Sequence, residues 1–150
     1  MRNTNELEIL LVEDDPNDVE LTLCAFGKSN LSNRIHVARD GAEALEFIFC
    51  EGPHAGRKME DGPKVVLLDL KLPKLDGLEV LRRIKGDPLT RMIPVVALTS
   101  SPEDRDVVES YNLGVNSYIV KPVNFERVVE AVEQLALYWR LMNEPPKLKG

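Results

Sequence analysis

The run Lys64-Val65-Val66-Leu67-Leu68-Asp69 constrains this chain more than any other stretch. Four consecutive apolar residues without alternation read as a strand buried on both faces, the pattern of a parallel sheet. The run ends on a carboxylate, Asp69, and continues through Leu70-Lys71-Leu72-Pro73-Lys74-Leu75 to Asp76-Gly77, where a helix opens. An acid at the C-terminal tip of a buried strand stands where open α/β sheets take their ligands. Alone, Asp69 reads equally well as a turn residue, since aspartate is common after strands. What stands at the other strand tips decides between the two.

Glu8 to Val12 is a second apolar run, and it ends in Glu13-Asp14-Asp15-Pro16-Asn17-Asp18. Asp15 suits an N-cap, Pro16 the first helical position and Asp18 the positive first turn of a helix. Capping accounts for Asp15 and Asp18 and leaves Glu13 and Asp14 as surplus charge. The helix carries Val19, Leu21, Leu23, Cys24 and Phe26 as apolar positions and ends near Gly27. Arg34 to Ala38 alternates like a half-exposed edge strand, which turns His36 towards solvent. Asp40-Gly41 caps a helix with Ala42, Ala44, Leu45, Phe47, Ile48 and Phe49. Residues 51–63 form an extended Gly- and Pro-containing loop, long for a compact domain and of a kind that is functional or mobile. His54 lies in it without a metal-ligand pattern.

Beyond the opening strand, Asp76 with Glu79 forms a capping-box-like start to a helix that Gly86 and Pro88 stop. Pro94 to Leu98 is a fourth apolar strand, ending on Thr99-Ser100-Ser101. Ser101-Pro102-Glu103-Asp104 starts the next helix, with Val107, Val108, Tyr111 and Leu113, and Gly114 ends it. Ser117 to Val120 is a short last strand that ends on Lys121-Pro122. Asn124 caps the final helix, whose core face is Phe125, Val128, Val129, Val132, Leu135, Ala136 and Trp139. Leu137, Tyr138, Leu141 and Met142 give that helix a second apolar face, more than one domain requires. Residues 143–150 are a Pro- and Lys-containing tail.

Strand followed by helix, five times over, predicts an α/β fold: a doubly wound five-stranded parallel sheet in three α/β/α layers, in one domain over residues 1–150 with its core at about residues 8–140. A net charge of −6 and the lack of a basic run argue against a nucleic-acid surface. Cys24 and Cys50 fall in apolar helical patterns and read as buried free thiols, which fits a reducing compartment. Neither a signal peptide nor a run of transmembrane length is visible, so a cytoplasmic protein away from membranes is expected.

In a parallel sheet all C-terminal tips share one edge. With strand order 2-1-3-4-5, the first and third strands flank the switch point, and Glu13, Asp14 and Asp69 converge there. Three close carboxylates call for a cation, and Mg²⁺ takes one or two carboxylates together with waters and phosphate oxygens. Lys121 adds a compact positive charge and Thr99 a hydroxyl. A nucleophilic carboxylate, a metal, a cation and a hydrogen-bond donor are the parts of a phosphoryl-transfer site.

Val-Glu-Asp-Asp, Leu-Leu-Asp-Leu-Lys-Leu-Pro with its Asp-Gly, Leu-Thr-Ser and Lys-Pro, in this order, resemble the receiver domain of two-component response regulators, whose fold is flavodoxin-like. The resemblance implies that Asp69 accepts a phosphoryl group from a histidine kinase. It implies that Asp14 directly, Glu13 through water, Asp69 and the Lys71 backbone carbonyl hold Mg²⁺ or another divalent cation such as Mn²⁺. Thr99 and Lys121 would bind phosphoryl oxygens, Tyr118 would be the switch aromatic, and the Lys121-Pro122 bond would be cis. The long loop before the third strand, Leu113 to Tyr118, Lys121 to Val123 and Tyr138-Trp139 are similar to single-domain regulators paired with cyanobacterial and bacterial phytochromes. These often dimerise through the last helix region, here Tyr138, Leu141 and Met142. The expectation is a stand-alone regulator without a DNA-binding output domain, not an enzyme. Neither Lys71 nor Ser101, two residues beyond Asp69 and Thr99, can orient an attacking water through a carboxylate or carboxamide, so self-dephosphorylation is expected to be slow. A metal-dependent phosphatase usually needs a second acid where Lys71 stands. A flavin protein needs a Ser/Thr/Gly-rich phosphate loop after the first strand, and none is there.

Overall fold

Five strands pair in parallel, in the order 2-1-3-4-5 by their place in the chain, the order on which convergence of the acids at the switch point depends. They are β1 (Leu7–Val12), β2 (Asn33–Ala38), β3 (Val65–Asp69), β4 (Val95–Thr99) and β5 (Ser117–Val120), and between them lie α1 (Pro16–Gly27), α2 (Gly41–Ile48), α3 (Gly77–Gly86) and α4 (Arg105–Asn112). The chain is a computed structural model that describes residues 7–27, 33–57, 63, 65–72, 75–100, 105–121, 126, 127 and 130. No helix among the described residues is long and apolar enough to cross a membrane.

The period-2 alternation of strand side chains divides the interior in two. Leu10, Val12, Val66, Leu68 and Ala97 face Leu45, Ile48, Val80, Leu81, Ile84 and Val107, so α2, α3 and α4 cover one side. Ile9, Leu11, Val65, Leu67, Val96, Leu98 and Ile119 face Val19, Ala25 and Phe26 of α1 on the other. This two-sided cover is why β3 reads as an unbroken apolar run: Val65 to Leu68 are wholly buried. Each such side chain stabilises the fold by about 1.5–3 kcal/mol relative to exposure. Register then levels the tips, because Val12 pairs with both Ala38 and Leu68, Asp69 with Leu98 and Thr99 with Val120.

Two helix starts form as their sequences predict. Asp15 Oδ1 accepts from the Asn17 N–H at 2.8 Å and from the Asp18 N–H at 3.4 Å. Asp40 Oδ1 accepts from the Glu43 N–H at 2.8 Å, and Glu43 Oε2 reaches back to the Arg39 N–H at 3.1 Å. The third differs. Asp76 makes no side-chain cap, and Glu79 pairs with Arg82 instead. The Gly77 N–H donates to the Leu70 carbonyl at 3.3 Å, so backbone docking against the β3 tip sets the start of α3.

Further expectations are corrected. Cys24 is exposed and Cys50 half-buried, both free. The inward stripe of α1 is Val19, Thr22, Ala25 and Phe26, which leaves Leu21, Leu23 and Cys24 outward. Buried Thr22 joins that stripe because its hydroxyl donates to the Asp18 carbonyl at 2.9 Å. Likewise Val108 and Tyr111 of α4 are exposed. His36 is half-buried and not solvated: its ring stacks on Phe47 at 4.1 Å and meets His54 edge-on at 5.3 Å. Burial foremost, then the nearby His54, pushes the His36 imidazole below its ordinary pKa. The start of the helix at Ser101–Asp104, the Lys121-Pro122 bond, and the last-helix face with Tyr138, Leu141 and Met142 lie outside the described residues.

Candidate functional site

The levelled C-terminal edge brings the predicted acids together. Carboxylate oxygens of Glu13, Asp14 and Asp69 lie within 4.8 Å of one another. Glu13 and Asp69 are buried, at 1% and 5% exposure, whereas Asp14 is open to solvent. Each is held from its own strand. The Glu13 N–H extends the β1 ladder to the Ala38 carbonyl at 3.0 Å, and Asp69 is the last residue of β3. Alternation puts Glu13 on the face of Ile9 and Leu11, and Asp69 on that of Val65 and Leu67, so both acids lie on the α1 side.

Lys121 closes the group from β5. Its N–H donates to the Thr99 carbonyl at 2.7 Å, which anchors the backbone beside β4. Its Nζ sits 2.9 Å from Asp69 Oδ2, 2.8 Å from Glu13 Oε2 and 3.0 Å from Asp18 Oδ2. The second Asp69 oxygen, Oδ1, accepts from the Lys71 N–H at 2.9 Å. Burial alone lowers the Lys121 pKa, but hydrogen bonds to Asp69, Glu13 and Asp18 outweigh it and raise the pKa above the ordinary lysine value. Burial pushes Glu13 up to about 7 against the pull of Lys121, with Asp69 adding repulsion. Glu13, Asp18 and Asp69 all face the one Lys121 ammonium. An all-oxygen donor set with one solvent-facing member suits a hard divalent cation, for which Glu13, Asp14 and Asp69 would be the protein ligands.

Thr99 ends β4 one step past the Asp69–Leu98 pair and is buried on the same edge. Tyr118 is half-buried on β5, edge-on to Tyr111 at a centroid distance of 6.0 Å. The Lys71 backbone stands two residues beyond Asp69, and its side chain is exposed. Asp18 is the residue that sequence reasoning assigned to helix capping and missed as a member of the site. Its place at N3 of α1, beside a strand tip that already carried two acids, was the available signal.

A five-stranded parallel sheet in this order, with its acids at the switch point, defines the flavodoxin-like receiver fold. The chain belongs to the response regulator receiver domain family, whose model matches residues 9–133. It is 44% identical over 139 residues to the probable methanogenesis regulatory protein FilR2 of Methanothrix harundinacea, covering 92% of this chain and 86% of that one. Response regulator Rcp1 of Synechocystis is 38% identical over 131 residues, covering 87% of each. The Mn²⁺-bound structure of Rcp1 matches with a TM-score of 0.74, 36% identity and coverage of 93% of this chain and 99% of that one. The structure of the bacteriophytochrome response regulator RtBRR matches with a TM-score of 0.81 and 54% identity, covering 94% and 84%.

Proposed function

We propose that this protein is a response regulator that accepts a phosphoryl group on Asp69 from a histidine kinase, and that the kinase is a phytochrome. The observation that carries the reading is the buried Asp69 carboxylate, held at a strand tip with Lys121 Nζ at 2.9 Å and two further acids beside it. Likeness to Rcp1 and to a bacteriophytochrome response regulator supports the kinase class. The likeness runs over 86–87% of the length of FilR2 and Rcp1, which supports a receiver of the same kind, acting through partner contact.

An Asp69 oxygen attacks the phosphorus of a phosphohistidine. The O–P bond forms as the P–N bond breaks, and the imidazole nitrogen keeps the electron pair and takes a proton. Asp14, Asp69 and the Lys71 carbonyl directly, and Glu13 through water, would hold Mg²⁺ or Mn²⁺, which when bound would neutralise charge on the carboxylates and phosphoryl oxygens. Lys121 and the Thr99 hydroxyl bind the phosphoryl oxygens, and Tyr118 follows the Thr99 loop as it moves. With Lys71 and Ser101 unable to orient water, self-dephosphorylation is slow, and the protein is a phosphoacceptor, not a turnover enzyme. It works in the cytoplasm as a homodimer through Tyr138, Leu141 and Met142.

Transfer from a panel of autophosphorylated histidine kinases tests the assignment. Phytochrome kinases should transfer faster than unrelated ones, and equal rates across the panel contradict that pairing. The acyl phosphate should outlast the assay by minutes; loss within seconds contradicts slow hydrolysis. Tyr138→Ala should shift elution towards monomer, and an unchanged volume counts against that face.

A further inference from the structure

Asp18 stands at N3 of α1, where an acid ordinarily turns back to the N–H of the N-cap residue. Here that N–H, on Asp15, is already taken by Glu13 Oε1 at 3.2 Å. Asp18 is therefore released from the cap, and its Oδ2 lies 3.0 Å from Lys121 Nζ, across the sheet edge. Its backbone is fixed for this task, because buried Thr22 donates its hydroxyl to the Asp18 carbonyl at 2.9 Å. Both partners are largely shielded, with side-chain exposures of 17% for Lys121 and 20% for Asp18.

We propose that Asp18 is a positioning residue acting through Lys121: it holds the ammonium at the acceptor in the resting state and competes with the phosphoryl group for it afterwards. This rests on the reading of Asp69 as the phosphoacceptor. Glu13 and Asp69 also hold Lys121 but are needed as cation ligands. Asp18 is a carboxylate that can keep the ammonium when those oxygens turn to a cation. It therefore favours cation binding in the resting state. Towards a phosphoryl group its effect reverses, because its ion pair must loosen before Lys121 can turn to the phosphoryl oxygens. The two effects of one carboxylate have opposite sign, which a folding defect cannot imitate.

The test uses Asp18→Asn, which keeps shape and removes charge. Titration of the unphosphorylated protein with Mn²⁺ should show weaker binding, by roughly three- to tenfold, the scale of one partly shielded charge interaction. Titration with fluoroberyllate, a phosphoryl mimic, at saturating Mg²⁺ should show tighter binding by a similar factor. In a Lys121→Met background the Asp18→Asn effect on fluoroberyllate should largely disappear. Weakening of both ligands, no change in either, or an undiminished effect in the Lys121→Met background overturns the proposal. Asp69→Asn separates the two readings. If it binds fluoroberyllate as the wild type does, the acceptor assignment itself fails. If its binding is lost while Asp18→Asn behaves as wild type, only the role of Asp18 fails.

Discussion

A missing atom shapes the strand tip at Asp69 as much as the charges do. A Cβ on Gly77 would fall 2.3 Å from the Asp69 carbonyl oxygen and 2.6 Å from Leu70 Cα. Both are backbone atoms that cannot swing aside, so only glycine lets α3 press against the tip of β3. Gly77→Ala should cost about 1–3 kcal/mol in a urea melt, as overpacking does. It should also slow phosphorylation of Asp69 by acetyl phosphate by shifting the strand tip; a variant with wild-type stability and rate contradicts this role. At this scale the sequence was partly legible. Glu13, Asp14, Asp69, Thr99 and Lys121 could be picked out because chemistry-bearing residues ended successive apolar runs. Asp18 could not, because an acid in a first helical turn already has a sufficient explanation in the helix dipole. Asp76 failed the other way: it has a capping sequence, but the Gly77 N–H found a tertiary partner that no local pattern announces.

Elements were legible where their burial is symmetric and less so where it is not. β3 and β4 are covered on both faces, so their apolar runs read directly. α1 is covered on one side, and its Leu21, Leu23 and Cys24 point outward because the core stripe admits a hydrogen-bonded threonine. β2 shows the same limit. Alternation gave His36 a direction, but the loop after α2 folds back to cover it. Phe47 lies between the stacked His36 ring at 4.1 Å and the Arg57 guanidinium, whose Cζ is 3.7 Å from the ring centroid. Two groups so close to one centroid must occupy opposite faces. His54 in a short 3-10 turn (Gly52–His54) then packs edge-on to both rings.

This stack makes the loop sensitive to acid. The His36 pKa is lowered below 6.5 by burial first, then by His54; Glu43 opposes and Arg57 adds to the shift. The unfolded chain therefore takes up the proton more readily. The stabilisation from neutral His36 is complete above 6.5 and is lost as pH falls through the lower folded value. Amide exchange over residues 52–57 should accelerate across that window, and His36→Phe should flatten the response. An equal pH response in the variant contradicts the assignment to His36.

Over the whole molecule, topology was the most legible feature, because alternating strand and helix signals with right-handed crossovers leave few arrangements. The consequence of that topology is an edge where acids outnumber the cation that faces them. A divalent cation should therefore stabilise the entire fold, by about 2.7 kcal/mol at a hundredfold excess over its dissociation constant. Thermal melts with Mg²⁺ should lie above those with EDTA, and Asp14→Ala should lose most of the difference. Identical melts in all three conditions contradict a cation site at this edge.

The central claim is that Asp69 accepts the phosphoryl group, and intact mass after treatment with acetyl phosphate and Mg²⁺ tests it most directly. The account predicts one phosphoryl adduct on the wild type and none on Asp69→Asn. An adduct of equal yield on Asp69→Asn would contradict it.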